Sequence, residues 1–201
     1  MMLYLTPKNW KDYELIDSGN FEKLERFGNC VTIRPEPQAV WDKSMTDKEW
    51  LNKATVSFAP VSSNSGEWQK HKPTPDTWQI TYHNLNLVCN LKFTAFIHLG
   101  IFPEQAVNWD YMHQVCSKNQ GLKVLNLFGY TGIASVAARS AGADVTHLDA
   151  IKQVVNWTKQ NMEDSGQRDI RWIIEDARKF VTREIKRGNT YNGIIMDPPA
   201  F

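Results

Sequence analysis

The sequence predicts an α/β chain: a sheet of four parallel strands alternating with helices, preceded by a small β-rich N-terminal domain. Two observations carry this. From Leu122 onward, short apolar runs alternate with stretches of helical periodicity, the signature of βα units. Before Leu122 the rhythm is shorter and β-like, broken by turn residues.

In the C-terminal half, Lys123 to Phe128 reads as a buried strand and Ile133 to Ala141 as a small-residue helix. Asp144 to Leu148 reads as the second strand. In Ile151 to Ser165, Ile151, Val154, Val155, Thr158 and Met162 recur at helical spacing, and Gly166 supplies the stop. Ile170 to Ile174 is the third strand. The helix after it places Ala177, Phe180, Val181 and Ile185 on one face and ends at Gly188, and Gly193 to Met196 is the fourth strand. A βαβαβαβ succession in a compact domain means a parallel sheet with helices on its faces.

In the N-terminal half, Tyr13 to Asp17 runs into a Ser18-Gly19-Asn20 turn, and Asn29 to Ile33 reads as a return strand. Thr46 and Glu49 have capping-box spacing for a short helix. Ser62 to Gly66 and Lys72 to Pro75 read as loops, and Leu85 to Phe96 as further strand. Pro103 opens a helix that reaches about Lys118. The expected domains are 1–102 and 103–201.

Charge is balanced, with 23 Lys and Arg against 22 Asp and Glu, so the chain as a whole carries no electrostatic signature of a nucleic-acid binder. Cys30, Cys89 and Cys116 form no C-x-x-C pair, which argues against a zinc centre and a disulfide framework, and no metal is expected. Met1 to Glu14 carries charges and Pro7 where a signal peptide needs an apolar run, and no stretch has the length of a membrane span. The expectation is a cytoplasmic protein without membrane contact.

The chemistry is concentrated at the strand ends. Phe128-Gly129-Tyr130-Thr131-Gly132 joins the first strand to the first helix, and glycines there let the backbone approach a ligand. The bland reading is a tight turn with glycines for geometry alone. Asp149 ends the second strand, where a carboxylate accepts hydrogen bonds from a ribose diol, or merely caps the next helix. Asp176 stands at the end of the third strand, where it could receive an adenine amino group or again only cap a helix. The fourth strand ends in Asp197-Pro198-Pro199-Ala200-Phe201. Two prolines remove backbone donors and leave carbonyl acceptors. An Asp carboxylate and a Pro carbonyl suit a planar amine, and Phe201 could stack on the base that bears it. The bland alternative is a rigid stop to a strand.

Gly129 to Ser135, Asp149, Glu175-Asp176-Ala177 and Asp197 to Phe201 resemble motifs I to IV of class I methyltransferases that use S-adenosylmethionine (SAM). More narrowly, Val124 to Gly132 and Phe93 to Gln105 resemble bacterial ribosomal-RNA methyltransferases related to the large-subunit cytosine-C5 enzymes. Leu15 to Gly19 and Lys23 to Gly28 are similar to the opening of a subgroup lacking an N-terminal PUA module. The resemblance implies a Rossmann-like sheet, SAM as cofactor, and RNA as partner. It places Gly129 and Gly132 at the methionine moiety, with Phe128, Tyr130 and Thr131 also binding the cofactor, Asp149 at the ribose, and Asp176 with Ala177 at the adenine. Phe102 and Gln105 would close the pocket, and Asp197, Pro198, Pro199 and Phe201 would form the catalytic motif.

Three features depart from the pattern or sit beside it. Asn126 stands where many class I enzymes have an acidic residue. The Asp197 motif contains no cysteine, although C5 methylation of cytosine needs a thiolate. Arg178, Lys179, Arg183, Lys186 and Arg187 give the last helix a basic face, read as solvated, with RNA phosphates as the alternative. His98 and His147 read as structural. Because the family's sheet continues past the four strands written here, a truncated chain, inactive alone, is expected. The competing functions are methylation of a protein or small molecule, and an RNA-binding module with a degenerate SAM site. A dehydrogenase is disfavoured, since Gly129-x-x-Gly132 is not G-x-G-x-x-G.

Overall fold

The computed structural model describes residues 5–7, 10–62 and 65–199. Ser63 and Asn64 of the expected loop, Ala200 and Phe201 of the terminal motif, and Met1 to Tyr4, Lys8 and Asn9 lie outside the described residues. The chain divides into two compact units. One comprises Asn9–Tyr82 with Asn90–Ile101; the other comprises Phe102–Phe201 with His83–Cys89 and Met1–Lys8. Two segments of the expected 1–102 domain, Met1–Lys8 and His83–Cys89, group with the C-terminal unit, where the Val88 amide donates to Ser165 Oγ at 2.9 Å.

The N-terminal unit carries a five-stranded sheet in sequential order: β1 (Tyr13–Gly19), β2 (Glu22–Phe27), β3 (Cys30–Pro35), β4 (Val56–Pro60) and β5 (Gly66–Lys70). Asn20 and Phe21, with φ of 49° and 63°, give the β1–β2 hairpin the two left-handed residues that a type I′ turn requires. Between β3 and β4, which are parallel, runs α1 (Asp47–Lys53). The Thr46–Glu49 capping box is present at its start, and buried Trp50 anchors it to Leu24, Ile33 and Ala54. Strands β6 (Thr77–Tyr82) and β7 (Leu87–Lys92) form a separate pair, and the expected strand from Leu85 to Phe96 contracts to β7.

Charge is buried in this unit. Asp17 accepts four donors: the amides of Ser18 (3.0 Å), Ser44 (3.2 Å) and Met45 (3.0 Å) and the Trp50 indole (2.8 Å). Burial alone would push its carboxyl up, but these bonds together hold it below the usual range. Arg34 and Glu25, 3% and 1% exposed, pair within the sheet.

The C-terminal unit holds the parallel sheet: β8 (Lys123–Leu127), β9 (Asp144–Asp149), β10 (Arg171–Ile174) and β11 (Gly193–Met196), in the order β10-β9-β8-β11. The chain moves outward from β8 through β9 to β10, then returns to the other side of β8 as β11. In such sheets ligands bind beyond the carboxyl ends of the strands, where that order reverses. The helices are α2 (Ala106–Lys118), preceded by a 3-10 turn at Pro103–Gln105, then α3 (Ile133–Ser140), α4 (Lys152–Asp164) and α5 (Ala177–Lys186). Leu125, Leu127, Leu148, Ala177 and Phe180 form a core beneath the strand ends. Gly166 and Gly188, both at φ 68°, take the left-handed conformation that ends α4 and α5.

The inward face of α5 differs from the periodicity reading. Ile185 is 71% exposed, whereas Glu184 is buried. The Tyr191 hydroxyl donates to the Glu184 carboxylate at 2.6 Å and the Asn189 amide at 3.0 Å, with Arg171 and Arg187 beyond. Led by the Tyr191 bond, these contacts hold its carboxyl below the usual range despite burial. Apolar pattern alone placed the wrong neighbour inside, because a carboxylate with this many partners tolerates burial. Ile151, expected on the inner face of α4, is also exposed. No helix among the described residues is long and apolar enough to cross a membrane.

Candidate cofactor and substrate site

Strand register brings the expected site residues to one edge of the sheet. Met196 pairs with Leu127, Leu127 with Leu148, and Asp149 with Ile174. The four strands thus end in step, and Asp197, Phe128, Asp149 and Asp176 follow at or just beyond those ends. Neighbouring strands lie about 4.8 Å apart, so a ligand the size of a nucleoside can touch several of these ends at once.

The turn between β8 and α3 is conformationally costly. Phe128, Tyr130 and Gly132 all have left-handed φ, at 55°, 50° and 75°, and for the two aromatics this costs about 1 kcal/mol or more each. Surrounding bonds hold it. The Gly129 amide donates to Leu148 O (2.9 Å), the Gly132 amide to Gly129 O (2.9 Å) and the Tyr130 amide to Asp149 Oδ2 (3.0 Å). From α4, Thr158 Oγ1 donates to Tyr130 O and Asn161 Nδ2 to Thr131 O, each at 2.8 Å. Thr158 and Asn161 are fully buried. Sequence reading placed Thr158 in the apolar stripe and passed over Asn161; a polar pair facing inward, three residues apart on a helix, was the available signal.

The acidic residues serve the fold and remain placed for a ligand. Asp149 accepts the Tyr130 amide through Oδ2 and the Ile151 amide through Oδ1 (2.9 Å). Each carboxylate oxygen retains a second lone pair for a hydroxyl donor. Asp176 is the N-cap of α5, its Oδ1 accepting the Lys179 amide at 3.0 Å, and Ala177 is buried behind it. The capping reading therefore holds for Asp176; at α4 the N-cap is Ile151, and Asp149 accepts the amide of that residue, outside the helix.

On the other side of the turn, the Phe102 and Tyr130 rings sit 5.3 Å apart. Gln105 Nε2 donates to Asp197 Oδ2 at 3.1 Å, and Asn108 Nδ2 donates to Gln105 Oε1 at 2.7 Å, which orients the Gln105 amide toward the carboxylate. Gln105 thus meets the Asp197 motif. Pro198 and Pro199 are exposed beside it, and Phe201 is outside the described residues.

Beneath the turn lies a buried polar row. Asn126 and His147 are register neighbours on β8 and β9, with Trp172 next on β10. Asn126 Nδ2 donates to Ser135 Oγ at 2.8 Å, and Ser135 Oγ meets His147 Nδ1 at 3.0 Å. Asn126, at the position where many class I enzymes carry an acid, is spent on the floor of the site. On α5, Arg183 pairs with Glu175 and Arg187 with Glu184, so two of the five basic residues are engaged within the unit. Among the described residues no group of three or more His, Cys, Asp and Glu could hold a metal.

Replacing Gly132 by Ala is expected to destabilise the C-terminal unit by about 2 kcal/mol, since a left-handed Ala is strained and its Cβ collides with a buried side chain. That Cβ would lie 1.8 Å from Thr158 Cγ2. Urea denaturation checks this, and an unchanged midpoint would show that the turn has room to move.

No family model matches the chain. A SAM-dependent methyltransferase from Agrobacterium tumefaciens is 44% identical, with a TM-score of 0.90 over 97% of this chain and 62% of that one. A putative SAM-dependent methyltransferase from Streptococcus mutans, 18% identical, aligns with a TM-score of 0.75 over 96% of this chain and 53% of its own, a likeness of fold. The ribosomal RNA large subunit methyltransferase K/L of Vibrio cholerae is 28% identical over 153 residues, 75% of this chain and 20% of that protein. The chain therefore spans about a fifth of that curated relative and under two thirds of the Agrobacterium chain. The fold is that of class I methyltransferases, and the resemblance read from the sequence is borne out at that level.

Proposed function

We propose that the chain carries the cofactor-binding part of a SAM-dependent methyltransferase that acts on a base of RNA, with ribosomal RNA as the substrate class. One observation carries this reading: the strained turn Phe128–Gly132, the Asp149 carboxylate and the Gln105–Asp197 pair meet at the carboxyl edge of a parallel sheet where strand order reverses. The RNA assignment rests on likeness to the Vibrio ribosomal-RNA enzyme and on the Asp197-Pro198-Pro199 motif.

The residues fit SAM. The turn from Phe128 to Gly132 would hold the methionine end, Asp149 would accept from the ribose hydroxyls, and Asp176 with Ala177 would border the adenine. When bound, SAM supplies a sulfonium-activated methyl group. What the chain adds is orientation. Asp197, steadied on one oxygen by Gln105, has its other oxygen for a single N–H of the acceptor base, and the Pro198 carbonyl is a second acceptor. Phe102 and Tyr130 wall the site on the α2 side. All three cysteines are buried, and burial raises the Cys30 and Cys116 thiols, so none of them suits attack on a cytosine ring. Within this chain the polar groups match an amino or ring nitrogen.

Incubating the full-length protein with tritiated SAM and RNA from a strain deleted for its gene should label one ribosomal-RNA position. Label in protein instead would favour the rival enzyme. Absence of label in any RNA would contradict the reading.

A further inference from the structure

His147 lies beneath the cofactor turn and is a poor choice for a core position on packing grounds. It is fully buried, its Nδ1 is held by Ser135, and its Nε2 has no hydrogen-bond partner among the described residues. A buried unpaired ring nitrogen carries a desolvation cost that an apolar side chain of similar size would avoid. Burial also drives the imidazole to its neutral form.

Gly129 gives the ring a purpose. Unlike Phe128, Tyr130 and Gly132, Gly129 does not have a left-handed φ, so its backbone conformation is open to any residue. The barrier to a side chain is His147: a Cβ at Gly129 would lie 2.3 Å from Cε1, 2.5 Å from Nδ1 and 3.1 Å from Nε2. The ring has little room to retreat, because Ser135 holds Nδ1 and the Trp172 ring stands 5.5 Å away. The Gly129 amide is meanwhile tied to the carbonyl of Leu148, the residue after His147. Glycine at 129 is thus demanded from below, by the imidazole, and not by the turn's conformation.

We propose that His147 is a positioning residue. Acting through Gly129, it sets the depth of the Phe128–Gly132 turn and so the approach of that backbone to the methionine end of SAM. Asn126 and Ser135 act behind it by holding the ring. The inference rests on the reading that this turn holds SAM.

A double-mutant cycle on the full-length protein tests it, with SAM affinity from calorimetry and thermal midpoints measured alongside. Gly129→Ala and His147→Ala should each weaken SAM binding about tenfold, the first by lifting the turn and the second by letting it sink, an effect the size of ordinary contact coupling. The double variant should bind SAM more tightly than Gly129→Ala, because the new Cβ enters the space the ring has left. Should His147→Ala not fold, His147→Asn takes its place; it retains a polar group for Ser135 while removing Cε1 and Nε2. A purely structural His147 predicts lower midpoints with SAM affinity unchanged in folded protein, or losses that add in the double variant. A glycine required by the ligand itself predicts a Gly129→Ala defect that no change at His147 relieves. Either result overturns the proposal. Failure of the wild-type protein to bind SAM is a separate outcome, which sinks the methyltransferase reading.

Discussion

Glu25→Ala should destabilise the N-terminal unit by about 3–5 kcal/mol, the cost of stranding a buried charge. Glu25 Oε2 accepts from Arg34 Nε at 3.0 Å and from Nη2, while Oε1 accepts the Tyr13 hydroxyl at 3.0 Å. Without the carboxylate, Arg34 keeps the Ile97 carbonyl at 3.1 Å and the Phe27 face at 5.2 Å. Neither contact neutralises a guanidinium that is 3% exposed. The penalty belongs to the orphaned partner and not to the pair's net worth, so replacing both residues by methionine should recover most of the loss. Urea unfolding followed by tryptophan fluorescence reads both effects. A loss below about 1 kcal/mol for the single variant would mean that water reaches Arg34.

Acidification should weaken the C-terminal unit through His147. Burial lowers its pKa to about 4, against about 6.5 for a free histidine. Above pH 6.5 the ring is neutral in both states and contributes no pH dependence. Between pH 6.5 and 4 the unfolded chain takes up a proton that the folded unit refuses, so stability falls as pH falls. Below about pH 4 both forms are protonated and the contribution levels off. The full excursion amounts to about 3 kcal/mol. Hydrogen exchange of peptides from β8 and β9, corrected for intrinsic rates, should show protection falling across that window in the wild type and a flatter profile in His147→Asn. Identical profiles would place the titration elsewhere. Glu184, whose carboxyl is held low, loses its contribution as pH falls from the ordinary carboxylate value of 4.5 downward, so its window begins at the lower end of that of His147.

The parallel sheet was legible because its strands are apolar runs and its turns fall at Gly or Asp. β11 matches its expected span, and β8, β9 and β10 differ by a residue at one end. The N-terminal sheet was only half legible. β2, with sequence Glu22-Lys23-Leu24-Glu25-Arg26-Phe27, mixes charge of both signs with apolar residues, and its Glu25 is buried against Arg34 on β3 and the Tyr13 hydroxyl on β1. Pairing across strands, invisible to local pattern, makes that charge a core residue. The same physics misplaced Ile185 and hid Glu184. At the candidate site, the turn and the strand-end carboxylates stood out by residue type. Asn161 did not, since an inward polar side chain reads as surface until its partner is known; Thr158 read only as part of the inner helix face and His147 only as structural. Gly129 was read as a close approach of the backbone to a ligand; in the structure its close neighbour is the His147 imidazole.

The proposed role of the Phe128–Gly132 turn is that of a SAM site. Calorimetric titration of the full-length protein with S-adenosylhomocysteine, paired with NADH and with the Gly132→Ala variant, tests that most directly. The predicted result is one-site binding of the SAM product, none of NADH, and loss of binding in Gly132→Ala under conditions where the variant remains folded. Binding of NADH alone, or one-site binding that Gly132→Ala leaves unchanged, would contradict it.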